Sequence, residues 1–121
     1  MSRIDNLNRI LRSLQTSSPD VEGCALISED GLIIASALPQ HIDEARVGAM
    51  TATLSSLGTR AATELERSDV QEVLVRGALG YAVMMNATTG TLLLCLSGKQ
   101  AKLGLLFLDM RRAIDDLRKV L

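Results

Sequence analysis

Thr91-Leu92-Leu93-Leu94-Cys95-Leu96-Ser97 decides the fold, because five consecutive apolar residues stand where a half-exposed strand would alternate apolar with polar. The run is bounded by Gly90 and Gly98 and reads as a strand, and its lack of alternation implies that both of its faces are covered. Helices must therefore lie on both sides of the sheet. Immediately upstream, Val70 to Arg76 and Tyr81 to Ala87 are two more strand candidates, separated by Gly77-Ala78-Leu79-Gly80, and Thr88-Thr89-Gly90 leads into the central run. Connections this short predict an antiparallel meander. Downstream, Leu103, Leu106, Phe107, Met110, Ile114, Leu117 and Leu121 keep helical spacing, which predicts a helix from about Ala101 to Val120. Its outer face carries Arg111, Arg112, Asp115, Asp116, Arg118 and Lys119, an ordinary solvated surface.

The N-terminal half supplies the remaining layers. Ser2 followed by Asp5 resembles a capping box, and Ile4, Leu7, Leu11 and Leu14 recur on one helical face until Thr16-Ser17-Ser18-Pro19 breaks the run. Gly23 to Ser28 and Leu32 to Ser36 are short β-favouring runs joined by Glu29-Asp30-Gly31, where Gly31 can take the positive φ of a tight hairpin. After Pro39 a long helical pattern runs from about Ile42 to Arg67, with Asp43 and Glu44 in the first turn, where the helix dipole favours negative charge. The order is helix, two strands, helix, three strands, helix. It predicts an α/β (α+β) fold, a three-layer α/β/α sandwich on a five-stranded antiparallel sheet, with residues 1–121 as one domain.

Composition narrows the function. At 121 residues and 13.0 kDa the chain has room for one core, and with 47% hydrophobic residues but only 2% aromatics that core is aliphatic. Thirteen basic against fourteen acidic residues leave a net charge of -1, which provides no electrostatic footprint for nucleic acid or an anionic membrane. Met1 to Ile10 lacks the apolar region of a signal peptide and no uncharged run reaches membrane-spanning length, so a cytoplasmic protein is expected. Cys24 and Cys95 sit in separate apolar runs without metal-ligand spacing or a Cys-x-x-Cys arrangement, and read as small buried hydrophobes. Leu93 to Gln100 has the strand-to-helix position of a phosphate loop, but Leu93 stands where the first glycine belongs and Gln100 where the magnesium-binding hydroxyl belongs. His41 is the single histidine, and the pairs Glu29-Asp30 and Asp115-Asp116 lie in a turn and on a polar helix face. No catalytic, cofactor-binding or metal-ligating residue is expected, and the chain reads as a non-enzyme.

The middle helix is the unusual element, since Val47 to Thr59 contains no charged residue. Val47, Met50, Leu54, Leu57, Ala61 and Leu65 form a stripe expected to lie on the sheet. The opposite side is small and neutral, and Gly48 and Gly58 each cost about 1 kcal/mol of helix stability relative to alanine. Close approach of the same helix from a second copy would offset that cost. The residues expected at such an interface are Ala45, Gly48, Ala49, Ala52, Ser56 and Thr59. Val73 and Val75 of the third strand join them if that strand lies at a sheet edge, where unpaired backbone groups template pairing.

In element order, the chain resembles the roadblock family, the dynein light-chain relatives that include MglB-like bacterial and archaeal GTPase regulators. The resemblance covers essentially the whole chain and is carried by the hairpin Gly23 to Ser36, by the small-residue helix, and by Lys102-Leu103-Gly104-Leu105-Leu106. It implies a homodimer whose sheets join through the third strands with the middle helices paired, and a Ras-like small GTPase as partner, bound near those helices. The polar positions available to that partner are Asp43, Arg46, Thr53, Arg60, Glu64 and Arg67. Two other readings are a small-molecule sensor, for which Tyr81, Asn86, Thr88 and Thr89 are the polar groups at hand, and a structural dimer that scaffolds a larger complex.

Overall fold

A computed structural model describes residues 2–121. The elements follow the expected order: α1 (Arg3–Ser17), β1 (Val21–Ser28), β2 (Ile33–Ala37), α2 (Glu44–Glu64), β3 (Val73–Gly77), β4 (Gly80–Thr88), β5 (Thr91–Gly98) and α3 (Leu103–Val120). The strands form one five-stranded sheet in the order β2-β1-β5-β4-β3, and every neighbouring pair is antiparallel. Two hairpins, β1–β2 and the β3-β4-β5 meander, meet along β1 and β5. That puts the unalternating strand β5 in the middle.

Each face of the sheet is packed, as β5 requires. On one face Cys24, Leu26, Val83, Met85, Leu93 and Cys95 meet Leu7, Leu11 and Leu14 of α1 and Leu106, Met110, Ile114 and Leu117 of α3. On the other, Ala25, Ile27, Met84 and Leu94 meet Val47 and Leu54 of α2. Leu11, Leu26, Leu93 and Leu117 are fully buried, and each such side chain contributes about 2 kcal/mol of hydrophobic stabilisation. The first face carries most of the core; α2 covers the second only in part, because one helix spans less of a five-stranded sheet than two do.

Local chemistry fixes the element ends. Ser2 caps α1 by accepting the amide of Asp5, and the Asp5 carboxylate accepts the amide of Ser2 in return, a complete capping box. Asp43 caps α2 by accepting the amides of Ala45 and Arg46. At the other end Glu66 takes a positive φ of 58°, its amide donates to Thr63 O, and the Arg67 amide donates to Ala62 O, which is a Schellman ending without glycine. Ser68 also has positive φ, so the chain leaves α2 through a kinked connection and pairs with β4 only from Val73 onward, three residues later than the apolar pattern suggests.

The hairpin turn at Gly31 has φ of 91°, as its sequence predicts. It lies under α2. A Cβ on Gly48 would stand 2.2 Å from the carbonyl oxygen of Gly31, so this glycine is needed for a contact within the chain. Gly58 likewise faces Val73, whose Cγ2 would lie 2.7 Å from an added Cβ. Intramolecular close approach therefore offsets the helix cost of both glycines, and Gly48, expected at an interface between copies, is buried inside the subunit.

Candidate functional site

The face that α2 turns to the sheet differs from the one its spacing predicts. Gly48 and Thr51 are the buried residues of α2, with Val47, Leu54 and Ser55 half-buried. Met50, Leu57 and Leu65, expected on the sheet, are 59%, 58% and 65% exposed. The reason is steric: Gly48 seats the helix close over the Gly31 turn and turns its buried side toward Gly48 and Thr51, so Val47 and Leu54 of the apolar stripe still reach the sheet while Met50, Leu57 and Leu65 are rotated outward. The result is an apolar line on the surface of a helix, an arrangement that marks an interaction site when it is contiguous.

Beside that line runs a polar one. Arg46, Thr53, Arg60 and Glu64 are all exposed, and their separations of seven, seven and four residues place them along one side of α2. Asp43, the cap residue, pairs with Arg46 at 3.6 Å with both groups largely solvated, so the pair adds little stability and leaves Arg46 free to be recruited, while the Asp43 carboxylate remains engaged in capping α2. Arg67 lies beyond the helix end and is exposed. Of the remaining small residues, Ala45, Ala49, Ser56 and Thr59 are exposed and Ala52 is half-buried; they form a third line beyond the polar one. The hydroxyls of Thr53 and Thr59 are turned back onto the carbonyls of Ala49 and Ser55, which keeps this flank low and neutral.

β3 completes the surface. It is an edge strand, as anticipated, with one side paired to β4 and the other open. Val73 is half-buried against the α2 side of the sheet, and the two-residue period places Val75 on that same side, where it is 44% exposed. Uncovered apolar surface thus extends from Met50 and Leu57 on α2 to the open edge of β3. The sequence pointed to α2 through its missing charges, but Met50 and Leu57 were assigned to the core. An outward apolar position is indistinguishable from a buried one by spacing alone.

Of the polar groups that a small ligand would use, Asn86, Thr88 and Thr89 line one open pocket beside Gly90 and Arg118, and Tyr81 stands apart from them. Asn86 joins Ser55, Ser56, Thr59, Arg60, Glu29 and Asp30 around an open groove of about 440 Å³ between α2 and the two hairpin turns. Thr88 is engaged with Thr91, and Tyr81 lies at the far end of β4 under Arg76. Glu29 N donates to Gly90 O and ties the two turns into one wall of that groove. Among the described residues no three histidine, cysteine or acidic side chains converge as metal ligands, and no helix is long and apolar enough to cross a membrane.

This geometry has close counterparts. The sequence model of the Roadblock/LC7 domain matches residues 7–97. An uncharacterised protein of Methanocaldococcus jannaschii is 31% identical over 112 residues, which is 93% of each chain. Among solved structures, a Roadblock/LC7 domain from Streptomyces avermitilis superposes with a TM-score of 0.87 at 24% identity, over 93% of this chain and 94% of that one. Myxococcus xanthus MglB superposes with a TM-score of 0.89 at 21% identity, over 99% of this chain and 90% of the other.

Proposed function

From the premise that the chain belongs to the Roadblock/LC7 domain family, we propose that it is a homodimeric regulatory module that binds a Ras-like small GTPase and modulates its nucleotide cycle without a catalytic centre of its own. The observation that carries this reading is the uncovered apolar surface shared by α2 and the open edge of β3. Met50 and Leu57 are more than half exposed on a stretch without a single charge, and a second copy is the simplest cover for them. Pairing the β3 edges would satisfy their unpaired backbone groups at the same time. The likeness to MglB supports a GTPase as partner, and the polar line of Arg46, Thr53, Arg60 and Glu64 is the surface a dimer would leave open for it.

A bound regulator shifts its partner between nucleotide states only through differential affinity for them, and it speeds hydrolysis only by binding the transition state more tightly than the GTP-bound ground state. The test follows from that. Each Ras-like GTPase encoded alongside this protein is loaded with GDP or with a non-hydrolysable GTP analogue, and binding and single-turnover hydrolysis are measured with and without the protein. The expected result is preferential binding to one state. Identical binding and hydrolysis for every such GTPase would remove the proposal and leave a scaffolding dimer in its place.

A further inference from the structure

Cys24 on β1 and Cys95 on β5 are register partners, directly opposite one another across the antiparallel pair. Both face α1 and α3, both are 0% exposed, and both are free thiols. Opposed residues in antiparallel strands have Cα atoms about 4.5 or about 5.5 Å apart, depending on whether the pair exchanges hydrogen bonds. Either separation falls inside the window of about 4.4 to 6.8 Å that a disulfide spans. The Cβ atoms of such a pair stand about 4.5 to 5.5 Å apart, whereas a disulfide draws them to about 3.8 Å. A bridge here needs only a small strand displacement, and it carries strain of the kind that makes a bridge easy to reduce again.

We propose that Cys24 and Cys95 form a reversible cross-strand disulfide, a redox-responsive modification site that staples β1 to β5 in the interior of the sheet. In the reduced chain the Cys24 thiol donates to the carbonyl oxygen of Leu11 in α1 at 3.2 Å. A disulfide has no hydrogen to donate, so the bridge removes this contact and links the redox state of the sheet to the seating of α1. Burial pushes the Cys24 thiol up to about 12, and burial together with the neighbouring Cys24 and Asp109 pushes the Cys95 thiol up to about 12. The reactive thiolate is therefore scarce at neutral pH, and oxidation requires a transient opening of the helices that cover this face of the sheet.

The oxidant is a hydroperoxide. The thiolate of one cysteine attacks a peroxide oxygen, the O–O bond breaks, and a sulfenic acid and water form. The other sulfur then displaces hydroxide from the sulfenic sulfur, which makes the S–S bond and a second water. Two thiols and one hydrogen peroxide become one disulfide and two waters; two electrons pass from sulfur to the peroxide oxygens, and the thiol protons leave in the waters.

The whole chain in native buffer is exposed to hydrogen peroxide, quenched, unfolded in the presence of a maleimide, and weighed intact. The expected product is lighter than the starting chain by two hydrogen atoms, takes up no maleimide, and recovers both thiols on reduction. Cys95→Ala, or Cys24→Ser if that variant fails to fold, should never give the bridged mass. Two maleimides on the peroxide-treated chain, oxygen adducts on single sulfurs, bridges between subunits, or a bridge that forms only in the urea-unfolded chain would each overturn the proposal.

Discussion

A Cβ at Gly48 would meet the backbone of Gly31, which cannot yield without moving the β1–β2 turn, whereas a Cβ at Gly58 would meet a methyl of Val73, a stiff β-branched side chain that yields only with a shift of the edge strand β3. The two glycines of α2 therefore respond to different degrees to the same substitution. Gly48→Ala forfeits the close seating of the helix, and overpacking of this kind costs about 1 to 3 kcal/mol, more than the gain of about 1 kcal/mol in helix propensity. Gly58→Ala keeps that gain and offsets it against a small shift of Val73 with the open edge strand, so its stability should lie within about 1 kcal/mol of the parent. Urea unfolding of both variants checks the pair. If Gly48→Ala were the more stable of the two, the helix would not rest on the Gly31 turn.

At the scale of the element, α2 owes its place to small residues beneath it and its consequence to large ones above. Replacing Leu57 or Met50 by aspartate should dissociate the proposed dimer, because a charge would then be buried against an apolar partner. Both side chains are more than half exposed in the subunit, so the fold should survive. Light scattering should read twice 13.0 kDa for the parent and 13.0 kDa for either variant, with unchanged far-UV circular dichroism. A variant that remains dimeric would move the interface to the flank of Ala45, Ala49 and Ser56. The order of elements, the first hairpin with its glycine and the capping box of α1 are legible in the sequence, because each depends on neighbours within a few residues or on a plain apolar pattern, whereas the edge position of β3 is only what the family resemblance implies. The facing of α2 is not legible there, since a contact between Gly48 and Gly31 joins positions whose proximity only the assembled fold creates. The late start of β3 was hidden for a similar reason: Glu66 and Ser68 adopt left-handed conformations that their side chains do not advertise. Among the site residues, the charges of the polar line mark it in the sequence as helix surface, while the apolar line beside it has the spacing of a core face.

Across the whole molecule the net charge of -1 conceals a division. Residues 2–20 and 99–121, which hold α1 and α3, carry nine basic and five acidic side chains; residues 21–98, which hold α2 and the sheet, carry four basic and nine acidic. A dimer joined through α2 and β3 brings two acidic layers together, and the uncharged stretch from Val47 to Thr59 is what lets them approach, with like charges left at the rim. Salt shortens the reach of charge from about 10 Å at 0.1 M to about 3 Å at 1 M. It should therefore tighten the dimer by relieving rim repulsion. A GTPase that docks on the polar line meets Arg46, Arg60 and Glu64, two basic groups against one acidic, so it must present an acidic face, and its association should weaken over the same range, since attraction between opposite charges is lost. Sedimentation of the chain alone and titration with the GTPase, each across that range of salt, separate the two interfaces by the sign of their response. Partner binding that strengthens with salt would mean that the contact is apolar, and the polar line of Arg46, Thr53, Arg60 and Glu64 would then be solvated surface beside it.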